Sequence, residues 1–102
     1  MENKDKLITL IESDPEIYKI INSKEHIAVL SIIGTESLGF DELNRKTDFK
    51  KVSILNNILD SLSDKKFIRK LEVNKNQIYY ITDEGKAFIS LVKNAQKDFN
   101  LI

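Results

Sequence analysis

The sequence has 102 residues, with no Cys, one His, no Trp, three Gly and one Pro, and its 16 Lys/Arg balance 16 Asp/Glu to a net charge of zero. Without Cys, disulfides, iron–sulfur clusters, zinc fingers and thiol chemistry are excluded. So few Gly and Pro leave no collagen repeat, flexible linker or glycine-rich phosphate loop. With 41% hydrophobic and 31% charged residues, the chain is expected to form one ordinary soluble domain over 1–102. Its core would be modest enough that an oligomer interface adds materially to stability.

Residues 3–12 place Leu7, Ile8, Leu10 and Ile11 among Lys and Glu, the pattern of a short amphipathic helix. In Ser13-Asp14-Pro15-Glu16, Asp14 suits a helix N-cap and Pro15 the first helical position, where its missing N–H costs nothing. Asn22 or Ser23 caps the next helix, and with Asn22 as cap Glu25 completes a capping-box-like pair. That helix, 24–33, is apolar on most sides, so it belongs in the middle of the domain, with Gly34 placed to end it in a left-handed conformation. Residues 37–40 are a short extended link, and Asp41 caps a helix over 42–47 with Leu43 inward.

After a turn at 47–49, the spacing predicts the longest central helix over 50–64, burying Val52, Leu55, Ile58, Leu59 and Leu62 in one stripe. From Phe67 the period changes to two. Strands over 67–73 and 78–82, separated by the polar turn Asn74-Lys75-Asn76-Gln77, make a β-hairpin. Thr82 or Asp83 caps a final helix over 84–98. Phe88, Val92, Ala95, Phe99 and Ile102 recur along it at alternating steps of four and three, a seam two heptads long.

Charge is unevenly distributed. Residues 1–43 carry four Lys and nine Asp/Glu, a balance of −5; residues 44–82 carry nine Lys/Arg and four Asp/Glu, a balance of +5; residues 83–102 are neutral. A basic middle in a neutral chain hints at an anionic partner for that segment, against the alternative of chance clustering. The longest apolar run, Ile27 to Leu30 followed after Ser31 by Ile32 and Ile33, is far short of the ~20 residues of a membrane span. The opening Met-Glu-Asn-Lys-Asp-Lys does not read as a signal peptide. These features predict a cytoplasmic protein with no membrane partner.

The predicted order is helix, helix, turn, longer helix, hairpin, helix: mainly α with a small β-hairpin. Three stretches, Leu38-Gly39-Phe40-Asp41-Glu42-Leu43, Leu59-x-x-Leu62-x-x-x-Lys66-Phe67-Ile68-Arg69 and Tyr79-x-Ile81-Thr82-x-x-Gly85-Lys86, span about half the chain. In them the sequence resembles winged helix-turn-helix regulators of the ArsR and MarR type, small archaeal ones in particular. It departs from them at Lys66 and Asp48, where that family often carries Gly or, in the turn, another small residue. The resemblance implies a winged helix flanked by extra terminal helices: helices over 1–22, helix-turn-helix and wing over 23–82, and a dimerising helix over 83–102. It also implies a transcriptional regulator that binds double-stranded DNA as a homodimer.

On that layout, helix 50–64 reads the major groove and the 67–82 wing contacts flanking DNA. Asn56 and Asn57 carry the donor and acceptor that adenine requires, and Ser53 can read either kind of group. Lys50 and Lys51 lie at the helix N-terminus, where a phosphate also meets the helix dipole. Arg45 and Lys46 can hold the backbone, while Lys70, Lys75 and Asn76, with Arg69, Asn74 and Gln77, equip the wing. The expected dimer contacts are Leu7 and Ile11 with the seam Phe88, Val92, Ala95, Phe99 and Ile102. Tyr79 and Tyr80 read as sheet packing.

His26 reads as a helix-surface or capping residue, since no second His or Cys completes a metal site. Asp41-Glu42 and Asp83-Glu84 read as acids favouring helix starts and not as a catalytic dyad. No enzyme, cofactor or metal is expected, and no effector can be named. The alternative is a winged-helix protein–protein interaction module whose basic middle is incidental.

Overall fold

The computed structural model describes residues 3–99, with side chains for 5–95. In chain order these residues form α1 (Asn3–Ser13), α2 (Glu16–Ile21), α3 (Lys24–Thr35), β1 (Leu38–Gly39), α4 (Phe40–Thr47), α5 (Val52–Asp64), β2 (Ile68–Val73), β3 (Asn76–Ile81) and α6 (Asp83–Phe99). The three strands make one antiparallel sheet in the order β1-β3-β2. The expected architecture is present, with one addition. The extended link at 37–40 contributes a third strand, in which Leu38 pairs with Tyr79 and Gly39 with Ile78.

The apolar helix α3 lies at the centre, as its all-round hydrophobicity predicts, and packs on α2, α4, α5, β3 and α6. Val29, Leu30 and Ile33 are fully buried on it, together with Leu43 from α4 and Leu55, Ile58, Leu59 and Leu62 from α5. One contiguous cluster also takes in Leu7, Ile17 and Ile20 from the N-terminal helices and Phe88, Val92 and Ala95 from α6.

Several helix ends differ from expectation, because a cap is set by whichever group reaches the orphan N–H or C=O. Helix α2 begins at Glu16, one residue later than predicted; Pro15 stands before it, and the Asp14 carboxylate accepts from the Glu16 N–H at 3.3 Å. Ser23, not Asn22, caps α3, accepting from the His26 N–H at 3.2 Å; Glu25 instead approaches the Ser23 hydroxyl, so the predicted capping box is absent. Gly34 does not end α3 and has no positive φ. The helix continues through Thr35. Asp41 does not cap α4, which starts at Phe40 with Gly39 before it.

Helix α5 starts at Val52, leaving Lys50 and Lys51 outside, and Val52 is 50% exposed where the stripe placed it in the core. The hairpin turn is shorter than predicted. Asn74 and Lys75 alone make it, at φ 51° and 68°, a primed two-residue turn whose twist suits paired strands. Asn76 and Gln77 belong to β3, opposite Val73 and Glu72.

The seam on α6 closes within the chain. Helix α6 packs along α1, and Leu7, Phe88, Val92 and Ala95 are buried at 6%, 3%, 1% and 1% exposure. These four are therefore core residues of the subunit and not contacts offered to a partner, because α1 supplies the cover that the sequence left unassigned. Ile11 is half-buried; the side chain of Phe99, and all of Ile102, lie outside the described residues.

Two measurements check this packing. Leu59→Ala is expected to cost ~2–5 kcal/mol, while Val52→Ala changes stability by less than ~0.5 kcal/mol; thermal unfolding of both variants tests the placement of α5. Burial also holds the His26 imidazole below its ordinary pKa of 6.5, against a smaller opposing pull from Glu25. The folded chain then binds that proton less readily than the unfolded one, so stability is complete above the ordinary value and falls as pH drops below it. Melting temperature is expected to decrease between about pH 7.5 and about pH 5.5, where His is the side chain that titrates. The decrease should shrink in His26→Gln.

Candidate nucleic-acid interface

Helices α4 and α5 are joined by a tight turn. The α4 chain stops because Asp48 adopts a left-handed conformation, φ 50° and ψ 43°, while its N–H still bonds the Asn44 carbonyl at 3.1 Å. Asp tolerates this region better than most side chains, though less well than Gly. The backbone is extended at Lys51, and α5 follows.

At its other end α5 closes in a Schellman motif. Lys66, at φ 64°, donates to the Ser63 carbonyl at 2.9 Å, and the Phe67 N–H donates to the Leu62 carbonyl at 3.0 Å. Asp48 and Lys66 thus both take the left-handed conformation that Gly adopts most readily.

The wing is anchored directly behind that cap. Thr82 donates its N–H to the Phe67 carbonyl at 3.0 Å, and its hydroxyl lies 2.7 Å from the Lys66 carbonyl and accepts from the Gly85 N–H at 3.0 Å. Thr82 therefore caps α6 and ties it to the end of α5. Gly85 is required here: a Cβ would run into the Phe67 carbonyl and the Ile81 side chain. The Phe67 ring stacks on Phe88 with centroids 4.3 Å apart. The end of α5, the base of the hairpin and α6 thus meet in one joint.

On this frame the predicted DNA-binding residues are exposed but not equivalent. Residues 50–54 are all exposed, and burial begins only at Leu55. The N-terminal turn of α5 thus stands clear of the domain. Lys50 and Lys51 lead into it, Ser53 lies within it, and Asn56 and Asn57 follow on its open side. Arg45 and Lys46 occupy the last turn of α4; Lys46 lies 3.6 Å from Glu36, which offsets part of its charge. Lys75 and Asn76 are exposed at the wing tip. Lys70, cross-strand from Tyr79, holds its ammonium 5.8 Å from that ring's centroid. Tyr79 is buried and Tyr80 half-buried, matching the packing role read from the sequence.

One cation of the basic segment is committed elsewhere. Lys65, with only 16% of its side chain exposed, bonds Asp14 at 2.7 Å and lies 3.5 Å from Glu16. The hydrogen bond to Lys65 holds the Asp14 carboxyl below its ordinary range, and the same bond raises Lys65. This contact straps the α1–α2 corner to the end of α5. Spacing could not reveal it, since the partners are separated by 51 positions. His26 stands alone on α3, its Nδ1 2.7 Å from the Ser23 hydroxyl. Among the described residues no three His, Cys, Asp or Glu groups cluster as a metal site, and no helix is long and apolar enough to cross a membrane.

This geometry is the winged helix-turn-helix fold, and solved structures show it repeatedly. A PadR family transcription regulator from Clostridium difficile matches with TM-score 0.69 and 19% identity, over 76% of this chain and 92% of its own. The YusO protein of Bacillus subtilis matches with TM-score 0.71 and 21% identity, over 93% and 71%. The transcriptional regulator BldR from Sulfolobus solfataricus matches with TM-score 0.66 and 19% identity, over 98% and 84%. No sequence-family model and no curated protein sequence matches the chain. At these identities the likeness is one of fold.

Proposed function

We propose that the chain is a cytoplasmic, sequence-specific DNA-binding transcriptional regulator. It reads the major groove with α5 and contacts flanking DNA with the β2–β3 wing. The observation that carries this reading is the exposed run from Lys50 through the first turn of α5 to Ile54, on a fold shared with solved transcription regulators. A helix ~10–12 Å across enters the major groove, and its outward side chains reach base edges. In this reading Lys50, Lys51, Arg45 and Lys46 hold phosphates, Ser53, Asn56 and Asn57 read bases, and Lys70, Lys75 and Asn76 meet the flanking backbone or groove.

The second reading, a winged-helix protein–protein module, is favoured by the zero net charge and by the engagement of Lys65 with Asp14. A gel shift with mixed duplex DNA at two salt concentrations separates the two. Binding that collapses as salt rises supports the regulator, and no binding at low salt supports the module.

The regulator is further proposed to act as a homodimer. With the α6 seam internal, the surface left for pairing is the outer side of α1 and α6. There Ile8 is 47% exposed and Ile11, Ile89 and Leu91 are half-buried. Two-fold pairing would set two copies of α5 ~34 Å apart and imply a palindromic site.

Lys50→Ala and Lys51→Ala are expected to weaken binding about equally across sequences and to flatten the salt slope by roughly one unit for each phosphate left unneutralised. Asn56→Ala and Asn57→Ala should instead change the preferred sequence, with ~1–3 kcal/mol at one base pair. Anisotropy titrations across salt and sequence distinguish these effects; four variants that bind like the parent would place the DNA surface elsewhere. Light scattering of the 11.8 kDa chain at tens of micromolar is expected to give about twice the monomer mass, reduced toward the monomer by Ile8→Glu. A monomeric parent chain overturns the dimer.

A further inference from the structure

Helix α5 contains no Lys or Arg between Val52 and Asp64; its charged residues are Asp60 and Asp64. Guanine is read in the major groove chiefly by bidentate Arg or Lys, and this helix has neither to present. Its projecting end carries two branched aliphatic side chains instead, Val52 at 50% exposure and Ile54 at 37%. Single exposed aliphatics are ordinary on protein surfaces. These two lie in the exposed first turn of α5, each beside an outward amide: Asn56 is four positions beyond Val52, and Asn57 three beyond Ile54. Residues at those spacings are neighbours on a helix surface.

The pairing has a chemical counterpart in DNA. An Asn amide matches the N6 and N7 edge of adenine, and an aliphatic side chain matches the C5 methyl of thymine, which only an A·T or T·A pair presents. We propose that Val52 and Ile54, two positions apart and so flanking the outward face of α5 on its two sides, each read a thymine methyl, and that the bases under α5 in each half-site are A·T pairs recognised by the pairs Val52 with Asn56 and Ile54 with Asn57. This rests on the DNA-binding reading above and names the class of sequence it would select. Water is driven from both partners when a methyl meets an isopropyl or sec-butyl group. The contact therefore adds affinity without any hydrogen bond.

The test uses the full chain and duplexes that it selects from a random DNA pool. The selected duplex is then remade with deoxyuridine for thymidine in the half-site, which keeps the pairing and deletes the methyl. A·T pairs are expected under α5, and binding should weaken about four-fold for each contacted methyl removed, the effect of exposing one buried methyl-sized group. The double variant Val52→Ala/Ile54→Ala should bind the two duplexes equally while still folding cooperatively, with its unfolding midpoint above the assay temperature, since neither side chain is part of the buried core. The proposal is overturned by G·C pairs at those positions, by equal affinity of the parent for both duplexes, or by a double variant that retains the full penalty. In each of those cases DNA binding itself stands. If the pool yields no bound duplex at low salt, the DNA-binding reading fails and this proposal with it.

Discussion

The joint at Phe67 holds the functional geometry together. Its N–H closes α5, its carbonyl receives the Thr82 N–H that ends the hairpin, and its ring lies against Phe88 on α6. Three elements, α5, the hairpin and α6, therefore meet on one residue. The left-handed Lys66 makes the reversal into the wing sharp enough, and the missing side chain at Gly85 lets α6 approach the Phe67 carbonyl. The backbone groups that meet there are paired with one another, as packed backbone requires. Groove readers depend on a fixed geometry, since hydrogen bonds to base edges fail with displacements of about an ångström.

From that joint outward, charge and shape are divided. The exposed cations Lys50 and Lys51 stand at the lip of the projecting turn, while Lys65 is turned inward toward Asp14 and Glu16. A chain with no net charge can still carry a locally positive surface, provided its acids are placed at a distance or spent on internal pairs. The N-terminal acids do both. Most lie on other helices, and two of them hold the α1–α2 corner against the end of α5.

In a chain of this size the terminal helices must serve the core before they serve a partner. Leu7 on α1 and Val92 and Ala95 on α6 are buried within one subunit. A small domain buries a low fraction of its surface, and each additional packed helix raises that fraction. What α1 and α6 leave outside that core is scattered apolar surface, such as Ile8 at 47% exposure.

The order and type of the helices and the hairpin are legible in the residues alone. Their periods, 3.6 on α5 and two on β2, are set by which residues must face the same way. The same pattern places the centre of α3 in the interior and turns Asn56 and Asn57 outward. Element ends are less legible: of the two caps the sequence offers for α3, Asn22 and Ser23, it is Ser23 whose oxygen reaches the orphan N–H, and α4 starts after Gly39 with no side-chain cap at all, where the sequence placed Asp41. A two-residue strand such as Leu38-Gly39 is not legible, since two residues have no period and exist as a strand only by pairing with β3. Packing between elements settles that Val52, in step with the buried stripe, is half open, because the core closes over α5 only from Leu55 onward. It also settles that the α6 seam is covered by α1, since an apolar stripe specifies that it must be buried but not against what.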